Sequence, residues 1–114
     1  MSSLSFAKSF HNSKLFFSKN ELTKILSCYS LGVSKGKWKD YALNFKKNKA
    51  IFFMFKHSLA SPDCILTKSI KTKKNKYIYQ LYIENKNKNK FNEIDDLIYI
   101  LKRKHIKIFY YFIN

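Results

Sequence analysis

The chain has 114 residues, 46% hydrophobic and 18% aromatic, which is ample for one packed core and far from the low-hydrophobicity regime of disordered chains. It carries 23 Lys+Arg against 7 Asp+Glu, a formal charge of +16, so it repels itself unless something anionic sits nearby. Two distant cysteines, Cys28 and Cys64, argue against a disulfide framework, and no apolar run approaches the roughly eighteen residues of a membrane span.

Residues 1–20 are Ser-rich and free of acids but lack the arginines and apolar region of a targeting segment, and residues 1–13 read as a disordered arm. A single α+β domain is expected over 14–114. Residues 14–17 are expected to form a short strand, after which Ser18 and Glu21 have the S-x-x-E spacing of a reciprocal helix cap. Leu22, Ile25, Leu26, Tyr29 and Val33 make one stripe of a 3.6-residue period, interrupted at Gly32, and Gly36 is placed to end the helix.

From Trp38 the period changes to two. Tyr41, Leu43 and Phe45 alternate with Asp40, Ala42 and Asn44 as in a half-buried strand, and residues 46–49 make the turn that follows. Residues 50–55 are apolar on both faces and are expected to be a central strand covered on both sides. After a connection holding the only proline, Pro62, residues 64–71 and 77–84 read as two more strands, joined by a lysine-rich tip at 73–76. Residues 85–90 alternate Asn and Lys, too polar for a core, and read as a loop leading into a short edge strand.

Asn92 is expected to cap a second helix with Glu93, Asp95 and Asp96 in its first turn. Ile94, Leu97, Ile98 and Leu101 form its stripe, and Lys102, Arg103 and Lys104 close it, in keeping with the helix dipole. The tail, 106–113, is β-branched and aromatic and is expected to add a last strand. The expected fold is α+β: an N-terminal helix, an antiparallel β-meander of four to five strands, a second helix packed on one face, and a C-terminal strand.

The stretch Lys37-Trp38-Lys39-Asp40-Tyr41-Ala42-Leu43-Asn44-Phe45, followed by Ala50-Ile51-Phe52-Phe53-Met54-Phe55-Lys56, resembles the core of an alphaproteobacterial family known as domain of unknown function 2794. The resemblance extends from Glu21 to the helix that ends at Lys104, and departs from the family pattern after Pro62 and at 85–90. It implies a small bacterial cytoplasmic protein, and it brings no assigned activity or site.

The positive charge has two sources. Arg103 is the only arginine, and the wealth of Lys, Asn, Ile, Phe and Tyr is how an AT-rich genome writes proteins. Codon bias does not explain why Glu, whose codons are also A-rich, appears only three times, so part of the excess reflects selection. In an antiparallel meander the first and third hairpin tips share one end of the sheet. Lys46, Lys47 and Lys49 should therefore sit near Lys71, Lys73, Lys74 and Lys76, along one rim with no acids between. Such a rim suits a phosphate backbone, and without arginine forks it should bind with little regard to sequence.

Of the aromatic residues that could stack unpaired bases, Tyr77 and Tyr79 alternate to the face opposite Tyr82, while Trp38 and Tyr41 are expected in the core. Asp40, His57, Asp63 and Cys64 do not have a spacing that demands a catalytic constellation, and His11, His57 and His105 are too scattered to suggest a metal site. Neither catalytic residues, nor a metal, nor a cofactor are expected. The expected function is therefore non-enzymatic binding of RNA, DNA or the ribosome through the lysine rim. The alternative is a protein-interaction or regulatory module for an acidic protein, pairing through the C-terminal strand.

Overall fold

A computed structural model describes residues 14–58, 61–71, 76–86 and 88–107. Helix α1 spans Lys19–Ser34, and both halves of its cap form: the Glu21 N–H donates to Ser18 Oγ (3.0 Å) and the Ser18 N–H donates to Glu21 Oε1 (2.8 Å). Its C-terminus closes on Gly36, at φ +74, with the Gly36 N–H on the Val33 carbonyl and the Lys37 N–H on the Gly32 carbonyl. That pair of bonds needs the left-handed residue which glycine adopts without cost.

Strands β1 (Asp40–Lys46), β2 (Lys49–Phe55), β3 (Cys64–Lys71), β4 (Lys76–Ile83) and β5 (Asn89–Phe91) form an antiparallel sheet in the order β1-β2-β3-β4-β5. Helix α2 (Ile94–Ile100) runs into a π-helical turn, Leu101–Ile106. Leu101 and Ile106, five residues apart, are both buried, which is the spacing a π turn stacks on one face. The α+β meander is thus the architecture observed.

Strand parity divides the sheet in two. Ala50, Phe52 and Met54 pair with Lys68, Leu66 and Cys64, which pair in turn with Tyr79, Leu81 and Ile83; this face lies under the helices and holds the core with Ile25, Cys28, Trp38, Leu97 and Leu101. Each large side chain fully withdrawn from water here contributes about 1.5–3 kcal/mol. Ile51, Phe53, Phe55, Ile65, Thr67, Ile78, Gln80 and Tyr82 point the other way. Among the described residues, no helix packs on that second face.

Several expectations need correction. Residues 14–17 do not form a strand and are tied to β1 by one bond from the Leu15 N–H to the Lys46 carbonyl. The buried line of α1 is Glu21, Ile25, Cys28 and Gly32, with Val33 exposed; it is rotated from the expected stripe because Glu21 has buried partners and Gly32 lies against Trp38. Tyr41, Leu43 and Phe45 do share the helix-side face, yet β1 is an edge strand that the helices overhang only in part, and Tyr41 remains 42% exposed. Among the described residues, strand β2 is covered by helices on one side only, since both helices lie on the same face.

Glu93, not Asn92, is the N-cap of α2, and its side chain makes no capping bond. The expected C-terminal strand lies outside the described residues apart from Ile106, which belongs to the π turn, and Lys107, at φ +65. The arm at 1–13 lies outside them altogether.

Candidate functional site

The register brings the two hairpin tips to one end of the sheet. Lys46 pairs directly with Lys49, Lys49 with Ser69, and Lys71 with Lys76. Because pairing partners share a face and parity repeats every two residues, Lys46, Lys49, Lys71 and Lys76 all start from the uncovered face. With strands about 4.8 Å apart and a rise of about 3.4 Å per residue, their backbones span a strip roughly 16 Å long. All four are exposed, as is Lys47 in the first tip; Lys73 and Lys74 lie outside the described residues.

Like charges placed directly opposite across two strands destabilise a sheet. Two such lysine pairs stand side by side here, and among the described residues none of the five rim lysines forms an ion pair with a carboxylate. Of the seven acids, Glu21 and Asp63 are buried, and Asp40 and Glu84 belong to the opposite end of the sheet. Glu84 lies six residues past Ile78, the β4 residue in the Lys49 row, which is roughly 20 Å along the strand.

Between these ends runs a groove of about 570 Å³ on the uncovered face, within the size range of small-ligand sites. Ile65 and Thr67 of β3 and Gln80 and Tyr82 of β4 line it, with Lys49 at the rim end and Glu84 and Lys88 at the other. The Thr67 hydroxyl is shut off from solvent with no hydrogen-bond partner among the described residues. Beside the groove, Phe53 and Phe55 are half-buried and stack at 6.3 Å between ring centres.

The helix side holds two polar networks. Burial would raise the carboxyl pKa of Glu21, but bonds from Lys68 Nζ (2.7 Å), the Tyr79 hydroxyl and the Ser18 N–H outweigh it and hold the group below its ordinary range. Lys68 also donates to the Phe16 carbonyl (3.0 Å) and sits 4.2 Å over the Tyr77 ring. Burial together with the Glu21 carboxylate pushes the Tyr79 phenol up. The strand lysine that points to the helix side is therefore neutralised, whereas those that point away are not.

In the second network Asp63 accepts from Trp38 Nε1 (2.9 Å), contacts His105 Nε2 (2.6 Å), and faces Lys56 Nζ at 3.5 Å. Here too burial would raise the carboxyl pKa, and the Trp38 and His105 bonds with the charges of His105 and Lys56 win, leaving it lowered. The Cys64 thiol donates to the same Asp63 oxygen at 3.5 Å, and burial, reinforced by the Asp63 charge, raises its pKa far above that of a reactive thiol. Burial pushes Cys28 up to about 11.

Asp63, Cys64 and His105 are the one group of three metal-type donors that converge among the described residues, within 4.8 Å of one another. Asp63 already receives the Trp38 N–H and faces an ammonium, and the thiol stays protonated, so the cluster is satisfied as a hydrogen-bond network. His57, suggested by sequence proximity, has no part in it. His105 arrives from 42 residues away, because the π turn brings it against Trp38 (5.9 Å between ring centres).

Trp38 is the pivot of that side. Its indole stacks on Tyr29 at 6.0 Å and lies so near Gly32 that a Cβ there would fall 2.0 Å from a ring carbon. A family profile described as "Protein of unknown function (DUF2794)" matches residues 15–93, more than half of the chain. The chain belongs to this family. Neither curated proteins nor solved structures gave a match. The DUF2794 match starts earlier than the motif resemblance indicates and stops before α2, so it contains the rim, the groove and Asp63 but not His105. The motif residues Trp38, Ala50, Phe52 and Met54 are all buried, which makes them residues of the core.

Of the residues singled out in the sequence, the five described rim lysines converge, and Tyr82 is the one tyrosine of those considered that reaches the uncovered face. Phe53, Phe55, Thr67 and Gln80 were not legible as site residues. A strand apolar on both faces reads as doubly covered, and nothing local reveals that both helices pack on the same side.

Proposed function

We propose that the chain is a non-enzymatic nucleic-acid-binding protein, a partner of RNA, DNA or the ribosome, that holds the phosphate backbone along the lysine rim. The observation that carries this reading is the pair of directly opposed lysine couples, Lys46 with Lys49 and Lys71 with Lys76, left without carboxylate partners on an uncovered sheet face. Such couples cost the free protein stability, and a row of phosphates between them turns that repulsion into attraction. Lysines act there as point charges, so backbone contact fixes position and carries little sequence information.

The absence of enzymatic chemistry is part of the same proposal. Cys64 is fully buried, its thiol is held protonated, and both it and His105 are engaged with Asp63 and not with each other. A cysteine nucleophile needs the opposite arrangement, a thiolate beside a base.

The test compares the wild-type chain with the quadruple variant Lys46→Gln, Lys49→Gln, Lys71→Gln, Lys76→Gln, using fluorescence anisotropy of labelled RNA and DNA strands of several sequences. The wild type should bind all of them with similar affinity and the variant should lose most of that binding. Undiminished binding by the variant overturns the proposal, as does a pull-down in which nuclease treatment leaves an acidic protein as the retained partner.

A further inference from the structure

Resting on that reading, we infer that the groove between β3 and β4 receives an unpaired base, so that the protein prefers single-stranded nucleic acid to duplex. Three observations point there. The groove opens on the face from which the rim lysines rise, with Lys49 lining its near end, so a strand held at the rim can lay a base into it without leaving the lysines. Tyr82 lines it and presents a half-buried ring on the uncovered face, the kind of surface on which bases stack whatever their identity. The groove also holds a polar group suited to a base edge, the Gln80 amide, which both donates and accepts.

The apolar wall made by Ile65 suits the flat face of a base and would do nothing for a free phosphate. A duplex hides its base faces within the stack and could use only the lysines. The strands expected to bind best are therefore single ones, with Tyr82 as the stacking residue and Gln80 as the edge contact. Glu84 and Lys88 stand together at the end of the groove farthest from the rim, so the unopposed positive charge lies at the rim end.

The experiment measures anisotropy at fixed salt with a labelled single strand and with the duplex of the same sequence, for the wild type, Tyr82→Leu and Gln80→Ala. Urea melts of each variant check that it is folded. The single strand should bind the wild type more tightly than the duplex. Tyr82→Leu should weaken single-strand binding by roughly 5- to 150-fold, the range for loss of one stacked base, and leave duplex binding unchanged. Gln80→Ala should act in the same direction to a lesser extent. If single strand and duplex bind equally, or if Tyr82→Leu binds like wild type while the lysine variant does not, the base pocket is wrong and the lysine rim stands. If neither nucleic acid binds at all, the underlying reading fails and takes the pocket with it.

Discussion

Lys68→Met removes the ammonium from the Glu21 network while keeping a side chain of similar length between α1 and the sheet. In the wild type the Lys68 and Glu21 side chains are 5% and 12% exposed and 2.7 Å apart, so neither charge has much water to fall back on. Breaking one member of a buried pair costs about 3–5 kcal/mol, because the other charge is left in a medium that solvates it poorly. Against a total of about 5–15 kcal/mol for a domain of this size, that is a large fraction.

The deficit should depend on pH, with a determined sign. The folded pKa of Glu21 lies below its unfolded value, so its contribution is fully present above the unfolded value and is lost as pH falls through the folded one. Without Lys68 the carboxyl pKa rises and the group can become neutral in the folded state, so the deficit should be largest near pH 7 and shrink toward pH 4. Adding Glu21→Gln to Lys68→Met should recover part of the loss, since no unpaired charge then remains. Urea unfolding followed by the fluorescence of Trp38, the only tryptophan, measures all three variants. A deficit under about 1 kcal/mol, or a double variant no more stable than the single one, would refute the reasoning.

Gly32→Ala opposes two effects: alanine improves helix propensity by about 1 kcal/mol, but its Cβ would fall 2.0 Å from the Trp38 ring, which also stacks with Tyr29 and His105. The clash should win, with a net loss on thermal melting and a shifted Trp38 emission; a stabilised variant would show that the helix and ring are not packed as described. His105→Ala should cost about 2–3 kcal/mol in the same urea assay, because Asp63 keeps its charge and loses a partner. Dialysis against a chelator should leave the wild-type melting temperature unchanged, as expected if Asp63, Cys64 and His105 are held by one another and not by a metal; a large drop would assign them to an ion.

How far the residues alone lead differs between the fold and the site. The bounds of β3, the reciprocal cap at Ser18 and the Schellman close at Gly36 follow from local chemistry and are found, and β2 and β4 lie within a residue of their expected bounds, whereas the strand expected at 14–17 does not form. The shared end of the Lys46–Lys49 and Lys71–Lys76 tips follows from meander topology once the strands are placed. What local pattern cannot supply is which partner a side chain meets across the core. Lys68 looks like its exposed neighbours until parity and the Glu21 carboxylate bury it, and His105 joins Asp63 only through the π turn.

The same limit hid the groove. Residues 50–55 are apolar on both faces whether or not the second face is covered, and the residues that line the groove, Ile65, Thr67, Gln80 and Tyr82, alternate with core residues as in any half-buried strand. Gly32 likewise reads as a flaw in a helix until Trp38 is seen against it. The conspicuous motif around Trp38 and Phe52 proves to build the core, and the candidate site lies on the side chains that alternate with it.

The measurement that bears most directly on the polyanion reading is the salt dependence of single-strand binding. Four phosphate contacts predict a slope of log affinity against log salt about 2.8 units steeper for the wild type than for the quadruple glutamine variant, or roughly a 50-fold larger loss between 50 and 200 mM salt. Equal slopes for the two proteins would mean that the four ammonium groups meet no phosphate.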